Sequence, residues 1–318
     1  MKAPAFWYQS AGPKAALLSP LGQLYRAGGK IRRAFANPYK APAPVICVGN
    51  VVAGGAGKTP TALAFAHILQ QQGGKPVFVT RGYGGMEYGP LHVDPERHNV
   101  RDVGDEALIL ACAAPCWIGR NRADAVRVAA SNATHIIMDD GLQNPTVAST
   151  TSLLVIDGGV GLGNGQIIPA GPLRESLADA LSRVAAVVMI GEDKQGLTPR
   201  LNKPVLHARI MPRLPEDFSR EKLCFGFAGI GRPEKFFASC REAGLTLVET
   251  RAFPDHHLFS EAELKEMVAR ADRDELRLIT TAKDWVRLPD HYRAQVTVLP
   301  VELVFEDATQ VSRFLHAN

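Results

Sequence analysis

The first 86 residues contain no aspartate and no glutamate; the first acid is Glu87. Ten lysines and arginines stand in that stretch. The 318-residue chain has 36 Lys/Arg and 32 Asp/Glu, so 26 basic and 32 acidic residues remain behind it. A front of +10 followed by a rear of −6 asks for an anionic partner at the front: a phosphate ligand, a nucleic acid or an anionic membrane. Cysteine is also scarce. The five, at 47, 112, 116, 224 and 240, are odd in number and form no Cys-x-x-Cys pair. That excludes a disulfide framework and a zinc ribbon, and five buried small hydrophobes in a reducing compartment are expected. No apolar run approaches the ~18 residues of a spanning helix. The longest, such as 185–190, are strand-sized. Pro20 cuts the apolar stretch 15–24 and no small-residue cleavage site follows, so residues 1–30 do not read as a secretory signal. With 46% hydrophobic and 21% charged residues, the chain has the composition of a folded protein, at a length that suggests roughly two domains.

Residues 1–40 read as an amphipathic, membrane-associating segment. Phe6, Trp7 and Tyr8 cluster, and Ser19-Pro20 resembles an N-cap with proline at the first helical position. Leu21, Leu24, Tyr25, Gly28 and Ile31 then follow at helical spacing, with Arg26, Lys30 and Arg33 as a second stripe. A membrane-surface helix has this pattern. So does a terminal helix packed on its own domain, and the Gly28-Gly29 pair weakens either. Strand-like runs are expected at 44–48, 76–80, 116–118, 135–138, 152–156 and 185–190, with helices at 61–71, 105–112 and 122–131. Short apolar runs alternating with helices predict a parallel sheet covered on both faces. A second α/β group is expected from strands at 223–227, 246–252, 276–281 and 296–299 and helices at 233–243 and 260–270. The polar, proline-bearing stretch 211–222 is the boundary, dividing a nucleotide-binding domain at 41–210 from a smaller C-terminal α/β domain at 211–318.

The sharpest local signal is a strand, a glycine-rich loop (Val52, Ala53, Gly54, Gly55, Ala56, Gly57), then Lys58-Thr59 and a helix. That order aims backbone N–H groups and a helix N-terminus at one spot, as a polyphosphate requires. Lys58 would neutralise the outer phosphates, and the Thr59 hydroxyl would help hold Mg²⁺. Such a loop needs an acid at the end of another buried strand, and Asp139-Asp140 supplies it. Strand alternation would send the two carboxylates to opposite faces, leaving one at the metal. An N-capping aspartate at a strand–helix loop would also read this way.

Two classes fit these features. A membrane-riding switch or partitioning ATPase would carry an extra lysine where Ala53 stands. A GTPase would need a guanine-reading Asn-Lys-x-Asp, which neither the segment starting at Asn202 nor that ending at Asp284 supplies. A small-molecule or lipid kinase needs instead an acceptor-side base.

Phe6-Trp7-Tyr8, the loop through Lys58-Thr59-Pro60, Thr80-Arg81-Gly82-Tyr83, Gly104-Asp105-Glu106, Asp139-Asp140-Gly141-Leu142-Gln143, Pro172-Leu173-Arg174-Glu175, Gly231-Arg232-Pro233-Glu234, Asp255-His256-His257 and Thr281-Ala282-Lys283-Asp284 occur in order along nearly the whole chain. This ordered set resembles the tetraacyldisaccharide 4′-kinase family. At Asn144-Pro145-Thr146 the chain departs from the family's usual histidine and basic residues. The resemblance implies an ATP- and Mg²⁺-dependent kinase peripheral on the cytoplasmic face of a Gram-negative inner membrane. It would phosphorylate the 4′-hydroxyl of a tetraacylated glucosamine disaccharide 1-phosphate, the lipid A precursor. The implied partners are that precursor and an anionic membrane surface, with no nucleic acid and no obligate protein partner. The resemblance also makes Asp105 and His256 a catalytic pair alongside Lys58, with Val52 to Thr59 on the nucleotide and Thr59, Asp139 and Asp140 at the metal. Read alone, Asp105 is equally an N-cap and His256 a surface loop residue. Arg81 reads as a phosphate clamp or a plain glycine turn, Arg174 as the partner of Glu175 or another acid, and Arg120 and Arg122 as a solvated helix start. Asp255 would orient His256 or cap the next helix.

Overall fold

A computed structural model describes residues 3–214, 218 and 222–316. Its strands are β1 (Val45–Gly49), β2 (Pro76–Thr80), β3 (Leu91–His92), β4 (Cys116–Ile118), β5 (His135–Asp139), β6 (Thr151–Asp157), β7 (Ala186–Ile190), β8 (Val205–Pro212), β9 (Cys224–Ala228), β10 (Leu247–Ala252), β11 (Arg277–Thr280), β12 (Val296–Val298) and β13 (Val301–Phe305). Among the described residues they form two sheets, ordered β13-β8-β7-β6-β1-β5-β2-β4-β3 and β10-β9-β11-β12. Pairing is parallel throughout except at the edges of the large sheet, where β13 meets β8 and β3 meets β4 antiparallel.

Alternation along the strands builds a core on each face. In β1, Ile46 and Val48 join one apolar cluster with Phe65 and Leu110, while Val45 and Cys47 join another with Met138 and Leu154. The small sheet repeats this: Phe225 and Phe227 face one cluster, Cys224 and Ala228 the other. The expected mixed α/β fold with a parallel-rich sheet under helices on both faces is therefore present. Four of the five cysteines are buried; Cys112, expected to be, is exposed.

Three features differ from the sequence expectation. β8 was not anticipated, because its burial alternates only in part and its exposed positions carry His207 and Arg209. It runs through residue 211, the first of the expected boundary; residues 215–217 and 219–221 of that boundary lie outside the described residues. Second, β13 returns to the large sheet beside β8, so the chain after 300 does not stay with the second group as the division at 211 supposed. Phe305 of β13 meets Phe65 edge-on, ring centres 5.4 Å apart, which ties the return to the loop-following helix.

Third, the N-terminal helix spans Pro13–Ala34 rather than starting at Ser19-Pro20. Pro13 sits in the first turn, where its missing N–H costs nothing, and Pro20 is tolerated inside. Packing decides this. Ala15 and Gly22 are buried, and a Cβ on Gly22 would lie 2.9 Å from the Ile167 carbonyl oxygen. Arg26 and Lys30 reach Asp179 at 2.7 and 3.0 Å, and Arg33 lies 3.7 Å from Glu175. The basic stripe thus faces the protein. The apolar stripe faces outward, with Leu17 80% and Phe35 86% exposed and Leu21, Leu24, Tyr25 and Ile31 exposed beside them.

Candidate active site

β1 lies between β6 and β5, so the loop leaving its C-terminal end enters the crevice where chain connections diverge to opposite sides. Gly57 caps the following helix at φ +86°, a left-handed conformation that favours glycine; a Cβ there would also lie 2.4 Å from Ile190 Cδ1, which would have to move. The loop is laced to a second segment. Ala53 N–H donates to Pro172 O at 2.8 Å, and Arg174 N–H donates to Val51 O at 2.7 Å. The buried Asn50 amide donates to Val52 O at 2.7 Å. This pairing presents the Arg174 side chain to the crevice.

There the expected residues converge. The Thr59 hydroxyl donates to Asp139 Oδ2 at 2.9 Å, while Asp139 Oδ1 is buried with no hydrogen-bond partner. Lys58 Nζ lies 3.6 Å from Asp140 Oδ1, and Arg174 Nη1 donates to both Asp140 oxygens at 2.9 and 3.0 Å. Alternation would have placed the two carboxylates on opposite faces. Instead β5 ends at Asp139, and Asp140 takes the left-handed conformation, φ 54°, which swings its carboxylate to Lys58. Burial pushes the Asp139 carboxyl well up, with help from the charges of Glu106 and Asp140 and against Lys58 and the Thr59 hydrogen bond. Asp140 is held low: Lys58 and Arg174 outweigh its burial. The partner of Arg174 is therefore Asp140. Glu175 instead accepts from Arg183 at 2.6 Å and from Gln143 at 3.0 Å.

Asp105 and His256, 151 positions apart in the chain, meet across the gap between the sheets: His256 Nδ1 is 3.2 Å from Asp105 Oδ2. Gly104 at φ 84° turns the chain so that Asp105 opens the short helix Asp105–Ala111, and its Oδ1 accepts from the Glu106 N–H at 2.8 Å. Asp105 is buried, yet its carboxyl is held well below the usual carboxylate range. Its burial is outweighed by the His256 hydrogen bond and by the charges of Lys283 and Arg287. His256 is raised, first by its bond to Asp105; its side chain is 48% exposed and it sits at φ 60°. The Tyr83 ring lies 6.3 Å from it, centre to centre. Asp255 Oδ2 is 3.9 Å from His256 Nε2, while the next helix is capped by Ser260 with Glu263.

One neighbour differs from expectation, while Arg120 is exposed as expected. Arg122 is buried, 4% exposed, rather than solvated. Its Nη1 donates to Gly119 O at 2.6 Å and its Nε has no partner; burial and the nearby Arg81 charge push it down to about 10. Arg120 lies 3.6 Å over the centre of the Tyr88 ring. Sequence reading missed Arg287, which contacts both Asp105 and His256, and Arg232, which donates to Asp157 and to Gly55 O of the loop. Arg232 lay in a recognised motif. For Arg287 the available signal was its spacing of three from Asp284, which it pairs at 3.1 Å.

Among the described residues no three His, Cys, Asp or Glu side chains converge as a metal cage. Mg²⁺ beside a nucleotide takes one or two carboxylates and completes its shell with phosphate and water oxygens. The orphaned Asp139 oxygen, the Thr59 hydroxyl and Asp140 fit that chemistry.

Known proteins match along most of the chain. A family model described as tetraacyldisaccharide-1-P 4'-kinase matches residues 14–318. The tetraacyldisaccharide 4'-kinase of Rhodospirillum centenum is 46% identical, covering 99% of this chain and 96% of its own length. That of Parvibaculum lavamentivorans is 50% identical, covering 91% and 87%. The fold matches the crystal structure of LpxK from Aquifex aeolicus in complex with ATP, with a TM-score of 0.77 at 23% identity over 95% of this chain and 98% of that one. The chain therefore belongs to the tetraacyldisaccharide-1-P 4'-kinase family.

Proposed function

We propose that the protein transfers the terminal phosphoryl group of ATP to the 4′-hydroxyl of a tetraacylated glucosamine disaccharide 1-phosphate, the lipid A precursor. The bond from the γ-phosphorus to its bridging oxygen breaks, a bond from the same phosphorus to the 4′-oxygen forms, ADP leaves, and the hydroxyl proton passes to the protein. Family membership supports the reaction. The observation that carries the mechanism is the Asp105–His256 contact at 3.2 Å, formed between residues of two different sheets' units.

Phosphoryl transfer passes through a loose transition state, so positioning and charge neutralisation do most of the catalysis. The backbone from Val52 to Thr59 wraps the phosphates, and Lys58 neutralises the outer ones. Asp140 and Arg174 keep Lys58 aimed into the crevice. Thr59, Asp139 and Asp140 would hold Mg²⁺, which would supply charge neutralisation for the transferring phosphate. Asp105 accepts the 4′-hydroxyl proton, and His256, bonded to the same carboxylate, orients it.

The acceptor carries four acyl chains, so the enzyme works where lipid is. Among the described residues no helix is long and apolar enough to cross a membrane. The outward row of Leu17, Leu21, Leu24, Ile31 and Phe35 is suited to lie in the interface of an anionic bilayer at the cytoplasmic face. The test is incubation with γ-labelled ATP, Mg²⁺ and acceptor in mixed micelles. A labelled disaccharide lipid is expected; nucleotide hydrolysis without labelled lipid would overturn the reading.

A further inference from the structure

Arg287 joins four separated stretches of the chain, and its side chain is 1% exposed. Its Nε donates to Asp105 Oδ2 at 3.1 Å, and Nη2 donates to the same oxygen. Nη1 donates to Gly229 O at 2.8 Å and to Asp284 Oδ1 at 3.1 Å. Nη2 also lies 3.2 Å from His256 Nδ1. A guanidinium has five N–H donors in a rigid plane; four are spent on Asp105, Gly229 and Asp284, while Nη2 only lies beside His256 Nδ1, whose own hydrogen goes to Asp105. A lysine ammonium could satisfy at most three, without the planar fork. Asp105 comes from the large sheet's unit, whereas Gly229, His256, Asp284 and Arg287 come from the small one. The contact is thus a joint between units as well as an ion pair. Lys283, next to Asp284, adds a second joint at 2.8 Å to Glu106, next to Asp105.

The consequence falls on the one group that must take a proton. Asp105 Oδ1 is tied to the Glu106 backbone, and the direction of the carboxylate is then set by what grips Oδ2. We propose that Arg287 is a positioning residue for the phosphoryl transfer: it fixes the Asp105 carboxylate and seats His256 beside it, so that the proton-accepting pair exists only while the second unit is docked on the first. Arg287 acts this way only if Asp105 and His256 are that pair, as proposed above. None of its direct contacts is on the loop at 52–59, so its removal should fall on kcat more than on the KM for ATP.

The test compares Arg287→Gln, Arg287→Lys and Asp105→Asn in the full chain, measuring kcat, the KM for ATP and the pH profile of kcat. Arg287→Gln is expected to lower kcat about a hundredfold, as misplacement of a reacting group does, with the KM for ATP within twofold of the parent. The acidic limb of its profile should move to higher pH. Activity requires ionised Asp105 and is lost as pH falls, and removing the guanidinium raises the pH at which Asp105 takes a proton. The charged and titratable groups facing this pair are Glu106 and Lys283, Asp284 and Arg287, and Asp255; only Arg287 changes. Arg287→Lys should restore the limb more fully than the rate, because it returns the charge without the fork. If Asp105→Asn is inactive while Arg287→Gln keeps the parental kcat and limb, the role of Arg287 is overturned alone. If Asp105→Asn keeps parental activity, the pair itself is overturned. Should Arg287→Gln fail to fold, Asp284→Ala removes the oxygen that anchors Nη1 while Arg287 keeps its charge. It must then lower kcat and leave the limb in place, and an unchanged kcat overturns the proposal.

Discussion

Asp139 holds a carboxylate where a neutral group would be more stable. One oxygen takes the Thr59 hydroxyl, the other is buried without a partner, and burial raises the pH at which it ionises. A carboxyl whose folded pKa is raised costs stability once pH exceeds its unfolded value, and that cost grows until the folded pKa is passed. Asp139→Asn keeps the shape and removes the charge. Without nucleotide and Mg²⁺, its melting temperature should equal or exceed the parent's near neutral pH, and the difference should shrink toward pH 4. Turnover should fall by a hundredfold or more. A melting temperature several degrees below the parent's would show that the carboxylate is satisfied in a way the geometry lacks. Asp105 and His256 make a different case. Residues that act as one unit lose little more together than singly. Asp105→Ala and His256→Ala should each lower kcat far more than they raise the KM for ATP, and the double variant should match the worse single one; multiplicative losses would break the pair. Lys58, Thr59, Asp139 and Asp140 were legible in the chain because a glycine loop and a strand-terminal acid are local patterns. Asp105 and His256 were not. Alone they read as a helix cap and a loop residue, and only the resemblance joined them. Arg287 had one local signal, its spacing of three from Asp284; the rest of its meaning comes from partners 182, 58 and 31 positions away.

At the scale of elements, the N-terminal helix packs its basic stripe on its own protein, where the sequence left that stripe to lipid headgroups or to solvent. A basic stripe in an acid-free segment suggested charge toward lipid. Folded, Arg26, Lys30 and Arg33 pair with Asp179 and Glu175 of the large sheet's unit, and Arg32 Nη2 donates to Gln143 O at 2.8 Å. The apolar row is left exposed, and in the proposed function it is this row that meets the bilayer. Replacing Leu17, Leu24 and Phe35 together by glutamine should weaken vesicle binding at least tenfold, since burying one such side chain contributes about 1.5–3 kcal/mol. The loss should persist in high salt, where charge contacts are screened. Activity on vesicle-borne acceptor should fall with binding, and activity on detergent-dispersed acceptor much less. Flotation with anionic vesicles decides it: unchanged binding would place this row away from lipid.

At the scale of the molecule, β13 makes the large unit depend on the far end of the chain. It covers the β8 edge, and Phe305 packs on Phe65 of the helix Lys58–Gln71 that follows the phosphate loop. Phe305→Ala should destabilise the protein by about 3 kcal/mol, the lower end for emptying a phenylalanine site. Urea unfolding would measure it, and a loss under ~1 kcal/mol would mean that the strand is held without this contact.

Period-two alternation in buried strands and a glycine–lysine–threonine turn are properties of a few neighbouring residues. The chain by itself therefore determined the α/β class, the positions of the central strands, and the glycine loop with the strand-terminal acids beside it. β3 and β13 are the edges of the large sheet and β8 lies next to one of them; their patterns are weaker, so they appeared only on folding. The left-handed turn at Asp140, the burial of Arg122 and the side on which the first helix docks were likewise decided by tertiary contacts. So was the meeting of Asp105, His256 and Arg287. Each depends on groups distant in sequence finding one another, where pairing and desolvation outweigh local propensity.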